Sequence, residues 1–120
     1  MSIYIAPQFQ NNKSLEKYSI VLAEVVDIKV LLNQTWGINK DVKLTEITFK
    51  TDCNHIVVQK EIHSIGKTSM LNRLYYSITG KNIDINVGFH TNEILNQTIT
   101  ATVNKYQGNG YEGTSLIDFK

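Results

Sequence analysis

From Tyr18 to Val30 the chain alternates with a period of two across thirteen residues, and this run limits the fold more than any other feature. Tyr18, Ile20, Leu22, Val26, Ile28 and Val30 make an apolar row at even positions, broken only by Glu24. Ser19, Val21, Ala23, Val25, Asp27 and Lys29 occupy the odd positions. Successive side chains of a strand point to opposite faces, so the row predicts one long strand. Strands usually span about five or six residues, so one of this length must bend or serve two neighbours.

The rest of the sequence fits a mainly β chain. Asn33 to Lys40, with Gly37 inside it, reads as a polar loop carrying the only tryptophan, Trp36. Val42 to Thr51 is rich in Val, Thr, Ile and Phe and predicts a second strand. Val42 and Leu44 are out of phase with Ile47 and Phe49, which a bulge near Glu46 or one apolar side chain on the outer face would explain. Asp52, Cys53 and Asn54 form a turn into a third strand, His55 to Ile62, so strands two and three pair as a hairpin. The period then changes. Leu71, Leu74, Tyr75 and Ile78 follow helical spacing, with Thr68 or Ser69 as N-cap and Gly80 past the end. Ile83 to Phe89 reads as a short strand. Thr98 to Tyr106 alternates cleanly, and a Gly-rich tip, Gly108 to Gly110, joins it to a last strand, Tyr111 to Phe119. A long first strand, with one helix between strands three and four, matches the five-stranded Greek-key barrel called the OB-fold. A small β-sandwich and an α+β sheet with the helix on one face are the competing architectures.

At 120 residues, 42% apolar and 19% charged, the chain has material for one domain. Residues 1–16 hold the only proline, Pro7, and a polar run, and read as an irregular arm ahead of a body at 17–120. The single cysteine, Cys53, has no partner for an internal disulfide. The net charge of +1 is evenly spread, with seven basic and six acidic residues in the first sixty positions and five of each in the second. A polybasic arm or acidic tail is therefore excluded, and any phosphate-binding surface must be a local arrangement. No window approaches the roughly 20 apolar residues of a membrane span. The start, Met1 to Pro7, does not resemble a secretion signal, so the expectation is an intracellular protein.

Few residues point to chemistry. Gly66, Lys67 and Thr68 precede the predicted helix like the end of a phosphate-cradling loop, but Glu61 stands where that loop needs its first glycine. His55, His63 and His90 lack zinc-ligand spacing, and neither Cys53 nor any serine sits in a nucleophile motif. No catalytic centre, metal site or cofactor is expected. Aromatic and basic residues stand out instead. Trp36 lies in the first loop with Lys40 and Lys43 close behind, while Lys105, Tyr106 and Tyr111 flank the Gly-rich tip. In an OB barrel these two connections border the face that grips nucleic acids. Bases stack on Trp or Tyr whatever their identity, and lysines neutralise phosphates, so these six residues suit single-stranded binding. The alternative is packing, with Trp36 sealing a loop and Tyr106 and Tyr111 forming a cross-strand pair.

The stretch NQTITATVNKYQGNGYEGTSLIDFK, Asn96 to Lys120, resembles the closing hairpin of small single-stranded DNA-binding proteins of tailed phages from Gram-positive hosts, the lactococcal ones in particular. KLTEITFK at Lys43 to Lys50 and SMLNRLYYSITGK at Ser69 to Lys81 are similar in layout, and the likeness covers residues 17–120. It implies an OB-fold that coats single-stranded DNA during phage replication or recombination. It also implies homo-oligomers, contacts with phage or host recombination and replication proteins, and the cytoplasm of the infected bacterium. The ending Ser115 to Lys120 lacks the acidic tail by which many bacterial relatives recruit partners, so that mode of recruitment is not expected. Two rival classes remain: a module that docks onto a host or phage enzyme, and a small hydrolase or nucleotide-binding enzyme suggested only by Gly66 to Thr68.

Overall fold

The computed structural model describes residues 15–108 and 111–120, with the backbone alone at 107, 108, 111 and 112. The strands are β1 (Ile20–Trp36), β2 (Asn39–Thr51), β3 (Ile56–Ile62), β4 (Thr98–Gly108) and β5 (Tyr111–Ile117). They form one antiparallel sheet in the order β3-β2-β1-β4-β5. One helix, α1 (Met70–Thr79), and a 3-10 turn at Thr91–Glu93 connect β3 to β4. The fold is therefore mainly β, with one open sheet and a helix between the third and fourth strands.

The long first strand does serve two neighbours. Ile20 to Glu24 pair with β4, whereas Ala23 to Trp36 pair with β2. Between the pairs Val25/Phe49 and Asp27/Thr48, β1 advances two residues to one on β2, so Val26 is the extra residue of a bulge. This bulge corrects the predicted phase. Before it, the odd residues Val21, Ala23 and Val25 are buried, while Tyr18, Ile20 and Leu22 are exposed. After it the phase reverses, so that Ile28 pairs with Ile47 and packs against the core, while Val30 stays exposed. Both rows of β1 are apolar at this end, so periodicity could not choose between them. The pairing with Ile99, Ala101 and Phe49 decides. Glu24 thereby ceases to be an exception and lies on the outer face opposite Lys50.

On β2 the inner face carries Thr45, Ile47, Phe49 and Thr51, all buried. Its pairing with β3 runs without a break from Leu44/Ile62 to Lys50/Ile56, so there is no bulge at Glu46. Leu44 is the apolar side chain on the outer face, and it is buried nonetheless, in register between Leu31 and Ile62.

The predicted loop at 33–40 is instead a continuation of the hairpin. Trp36 pairs with Asn39 across a two-residue turn whose first residue, Gly37, has φ +63°. A left-handed first position favours glycine and matches the twist of the strands it joins. Asn33 (φ +56°) and Asp41 (φ +58°) lie within the two further register shifts. This hairpin extends past the end of β3, which pairs no further than Leu44. Accordingly, the radius of gyration is 16.5 Å, against about 14 Å for a compact chain of this length.

Helix α1 starts as its sequence predicts. Ser69 Oγ accepts the Asn72 N–H at 3.1 Å, and Gly80, at φ +75°, closes the C-terminus by donating to the Tyr76 carbonyl. Met70, Leu71 and Leu74 join the core formed with the inner sheet face. The strand predicted at 83–89 is absent. Asp84 Oδ1 accepts the Asn86 N–H at 2.9 Å, and the Asp84 carbonyl accepts from Gly88, so local turn bonds replace a ladder. Only Ile83 is buried there, and the Phe89 ring packs against Tyr75 in a tilted pair with centroids 4.8 Å apart.

The predicted arm falls largely at residues 1–14, outside the described residues. The packed body includes residues before position 17, because Leu15 is buried in the core, and the Tyr18 N–H donates to the Val103 carbonyl. At the other end β5 stops at Ile117. Asp118 turns with φ +51°, and Lys120 exchanges two backbone hydrogen bonds with Thr100.

Among the described residues the ladders do not close into a barrel. A side chain spans the gap between β3 and β5: Gln59 Nε2 donates to the Leu116 carbonyl at 3.1 Å, and Gln59 Oε1 accepts the Leu116 N–H at 2.8 Å. The carboxamide thus stands in for one residue of a missing strand pair.

Candidate nucleic-acid interface

Trp36 ends β1 at the hairpin tip and is 40% exposed. Lys40 and Lys43, both exposed, follow on the returning strand. Lys43 alternates with Val42 and Leu44 and so projects from the opposite face.

Lys105 and Tyr106 are adjacent on β4, and therefore project from opposite faces of the second hairpin. Tyr106 is opposite Gly113, and its ring fills the space that a Cβ at residue 113 would need. The ring therefore lies across the partner strand, with the residue still 49% exposed. Gly113 is not among the residues that aromatic and basic composition single out. Its signal is a glycine facing an aromatic across a hairpin. Lys105 borders a cleft of about 450 Å³ between β3 and this hairpin, with Leu15, His55, Ile56 and Thr114. Tyr111 pairs through its backbone with Gly108, and its side chain falls outside the described residues. The suggested cross-strand pair of tyrosines does not occur in register, because Tyr106 faces Gly113 instead.

The two clusters leave β1 in opposite directions. β4 pairs with Ile20 to Glu24 and then continues beyond Ile20, whereas β1 continues beyond Glu24 to Trp36. They are two contact points and share no described pocket. The outer face between them carries Glu24, Asp27, Lys29, Glu46, Lys50 and Lys60, three of each sign. Lys29 lies 3.5 Å from Asp27 and Lys60 lies 3.6 Å from Glu46. The Lys29–Asp27 pair is exposed, and pairs of that kind contribute little. Ile20, Leu22, Ile56 and Val58 are exposed on the same face, an apolar component the predicted phase of β1 concealed.

The phosphate-loop fragment has a structural explanation. Glu61 Oε2 accepts the Met70 N–H at 2.7 Å, and Ser69 caps Asn72, so the protein's own oxygens occupy the start of the helix. The residue that broke the motif is the one that fills the anion seat. His63 Nδ1 lies 2.7 Å from Thr45 Oγ1, and the backbone N–H of His90 donates to Glu93 Oε2. No group of three or more metal-ligating side chains occurs among the described residues. No helix among them is long and apolar enough to cross a membrane.

No family model and no curated protein matches the chain, so its function must be read from its own residues and geometry.

Proposed function

We propose that this protein binds and coats single-stranded DNA without strong sequence preference, as a non-enzymatic factor in phage DNA replication or recombination. One observation carries the reading: Trp36 and Tyr106 stand outside the core on separate hairpins, Trp36 with exposed Lys40 and Lys43 near it in the chain and Tyr106 with exposed Lys105. Aromatic rings backed by ammonium groups accept unpaired bases and phosphates without reading sequence. The OB-fold reading is supported by the strand order, by the helix between β3 and β4, and by Gln59 linking the two outer strands. A strand that touches both hairpins must run along the sheet rather than sit in one pocket.

Trp36 is the only tryptophan, so its fluorescence reports on the first hairpin alone. Oligo(dT) is expected to quench it. Phosphate contacts by Lys40, Lys43 and Lys105 predict a log–log salt slope of about −2, at about 0.7 per contact. Absence of both quenching and a gel shift would refute the proposal. In this reading copies of the chain associate, which sedimentation measures directly.

The exposed Ile20, Leu22, Ile56 and Val58 favour a second reading, a module that docks onto a host or phage enzyme. Capture of the same partner with and without nuclease distinguishes a protein contact from one bridged by nucleic acid.

A further inference from the structure

Helix α1 and the end of β5 enclose a cleft of about 480 Å³ lined by Lys67, Arg73, Tyr76, Asn82, Asp118 and Phe119. Its size falls within the roughly 300–1,000 Å³ of small-molecule sites. Its walls are fixed from below. Asn72, 2% exposed, donates to the Lys67 carbonyl at 2.9 Å and to Asn82 Oδ1 at 3.0 Å, and accepts the Ile83 N–H at 2.7 Å. One buried carboxamide thereby ties the segments before and after the helix to it. The Phe119 ring is held 5.7 Å from Phe49. Tyr76 is half-exposed and three residues beyond Arg73, so the ring and the guanidinium share one helix face.

The charge of the lining narrows the ligand. Lys67 and Arg73 against Asp118 leave a single positive charge. That balance suits one phosphodiester or monophosphate better than the several charges of a triphosphate. Glu61 and Ser69 already occupy the start of the helix, so the side-chain cations must hold the anion.

We propose that this cleft binds one nucleotide unit, its base against the Tyr76 ring and its single phosphate at Lys67 and Arg73. The unit is either a link in a bound single strand or a free nucleoside monophosphate. Only the first case rests on the function proposed above. Asp118 opposes the phosphate and sets the modest affinity of the site.

Binding of labelled oligo(dT) and of dTMP to the full chain, with NMR detection of Tyr76, tests this. For a strand link, Tyr76→Ala weakens oligo(dT) by about 5- to 150-fold, the range for loss of one base stack, while Tyr76→Phe retains affinity. Arg73→Ala reduces the salt slope by about 0.7. Asp118→Asn keeps a residue that tolerates the left-handed backbone and tightens binding, which a purely structural role for this position would not produce. For a free nucleotide, dTMP shifts the Tyr76 resonances and responds to the same variants, while oligo(dT) affinity is unchanged. If neither ligand responds to these variants, and their thermal transitions match the parent, the cleft proposal is overturned even where oligo(dT) still quenches Trp36. Loss of Trp36 quenching with an intact dTMP response strikes the coating function and leaves the cleft standing.

Discussion

Gln59→Ala tests how the outer strands of the sheet are held together. β3 and β5 share no ladder among the described residues, and the Gln59 carboxamide makes the paired contact with Leu116, itself 1% exposed. Truncation leaves one N–H and one C=O of Leu116 without these partners. A buried polar group left unsatisfied costs about 1–3 kcal/mol, so the pair sets a range of about 2–6 kcal/mol. Gln59 is only partly buried, and water reaching the slot brings the expectation to about 2–3 kcal/mol. For a domain of this size that lowers the melting temperature by about 6–18 °C. Urea unfolding should show a lower midpoint with an unchanged slope, and hydrogen exchange should show selective loss of protection at the Leu116 amide. Gln59→Glu adds a sign. The protonated acid can donate to the Leu116 carbonyl as the amide does, whereas the carboxylate faces that carbonyl across a short gap. The folded state therefore raises this carboxyl's pKa. The variant holds its stability below the unfolded value of about 4.3 and loses it as pH rises through the folded value. A Gln59→Ala protein within about 0.5 kcal/mol of the parent, with Leu116 equally protected, would refute the bridge.

Ser69→Ala removes the N-cap of α1 and should cost about 1 kcal/mol in urea unfolding. Asn72→Leu deletes three hydrogen bonds at a buried site and strands the Ile83 N–H, so a loss of about 3 kcal/mol or more is expected by the same measurement. Gly113→Val places a branched side chain where the Tyr106 ring lies. Oligo(dT) affinity should then fall as far as it does for Tyr106→Ala in an anisotropy titration, and unchanged affinity would mean that Tyr106 does not contact DNA. Ile38, 96% exposed in the hairpin turn, should tolerate replacement by serine within about 0.5 kcal/mol in thermal unfolding.

Much of the architecture is legible in the chain because it depends on local chemistry. The alternation around β1 announces a long strand, Ser69 and Gly80 bracket the helix, and Asp52 to Asn54 turn β2 into β3. The elements misread are those whose local signals were equivocal. The tip around Trp36 lies beyond the pairing limit of β3, and its polar composition suggested a loop, although Gly37 marks a two-residue hairpin turn. Ile83 to Phe89 has strand-like residues, but Asp84 satisfies the neighbouring amides first. Among the site residues, the sequence correctly suggested that Trp36, Lys40, Lys43, Lys105 and Tyr106 lie outside the core. It could not show that they divide between two hairpins leaving β1 in opposite directions.

By itself, then, the sequence determined the mainly β class, the five strands of the described sheet though not the absence of a sixth at 83–89, and the position of the helix that follows β3, since turn residues, caps and periodicity act over a few neighbouring positions. Tertiary structure alone decided which row of β1 faces inward, because both rows are apolar and only the partners across the sheet discriminate. It also decided that Glu61 would occupy the start of the helix, that Gln59 would join two strands distant in the chain, and that Tyr76, Arg73 and Phe119 would share a cleft. Each of these is a contact between segments that the chain order separates, and a linear pattern carries no record of the register that brings them together.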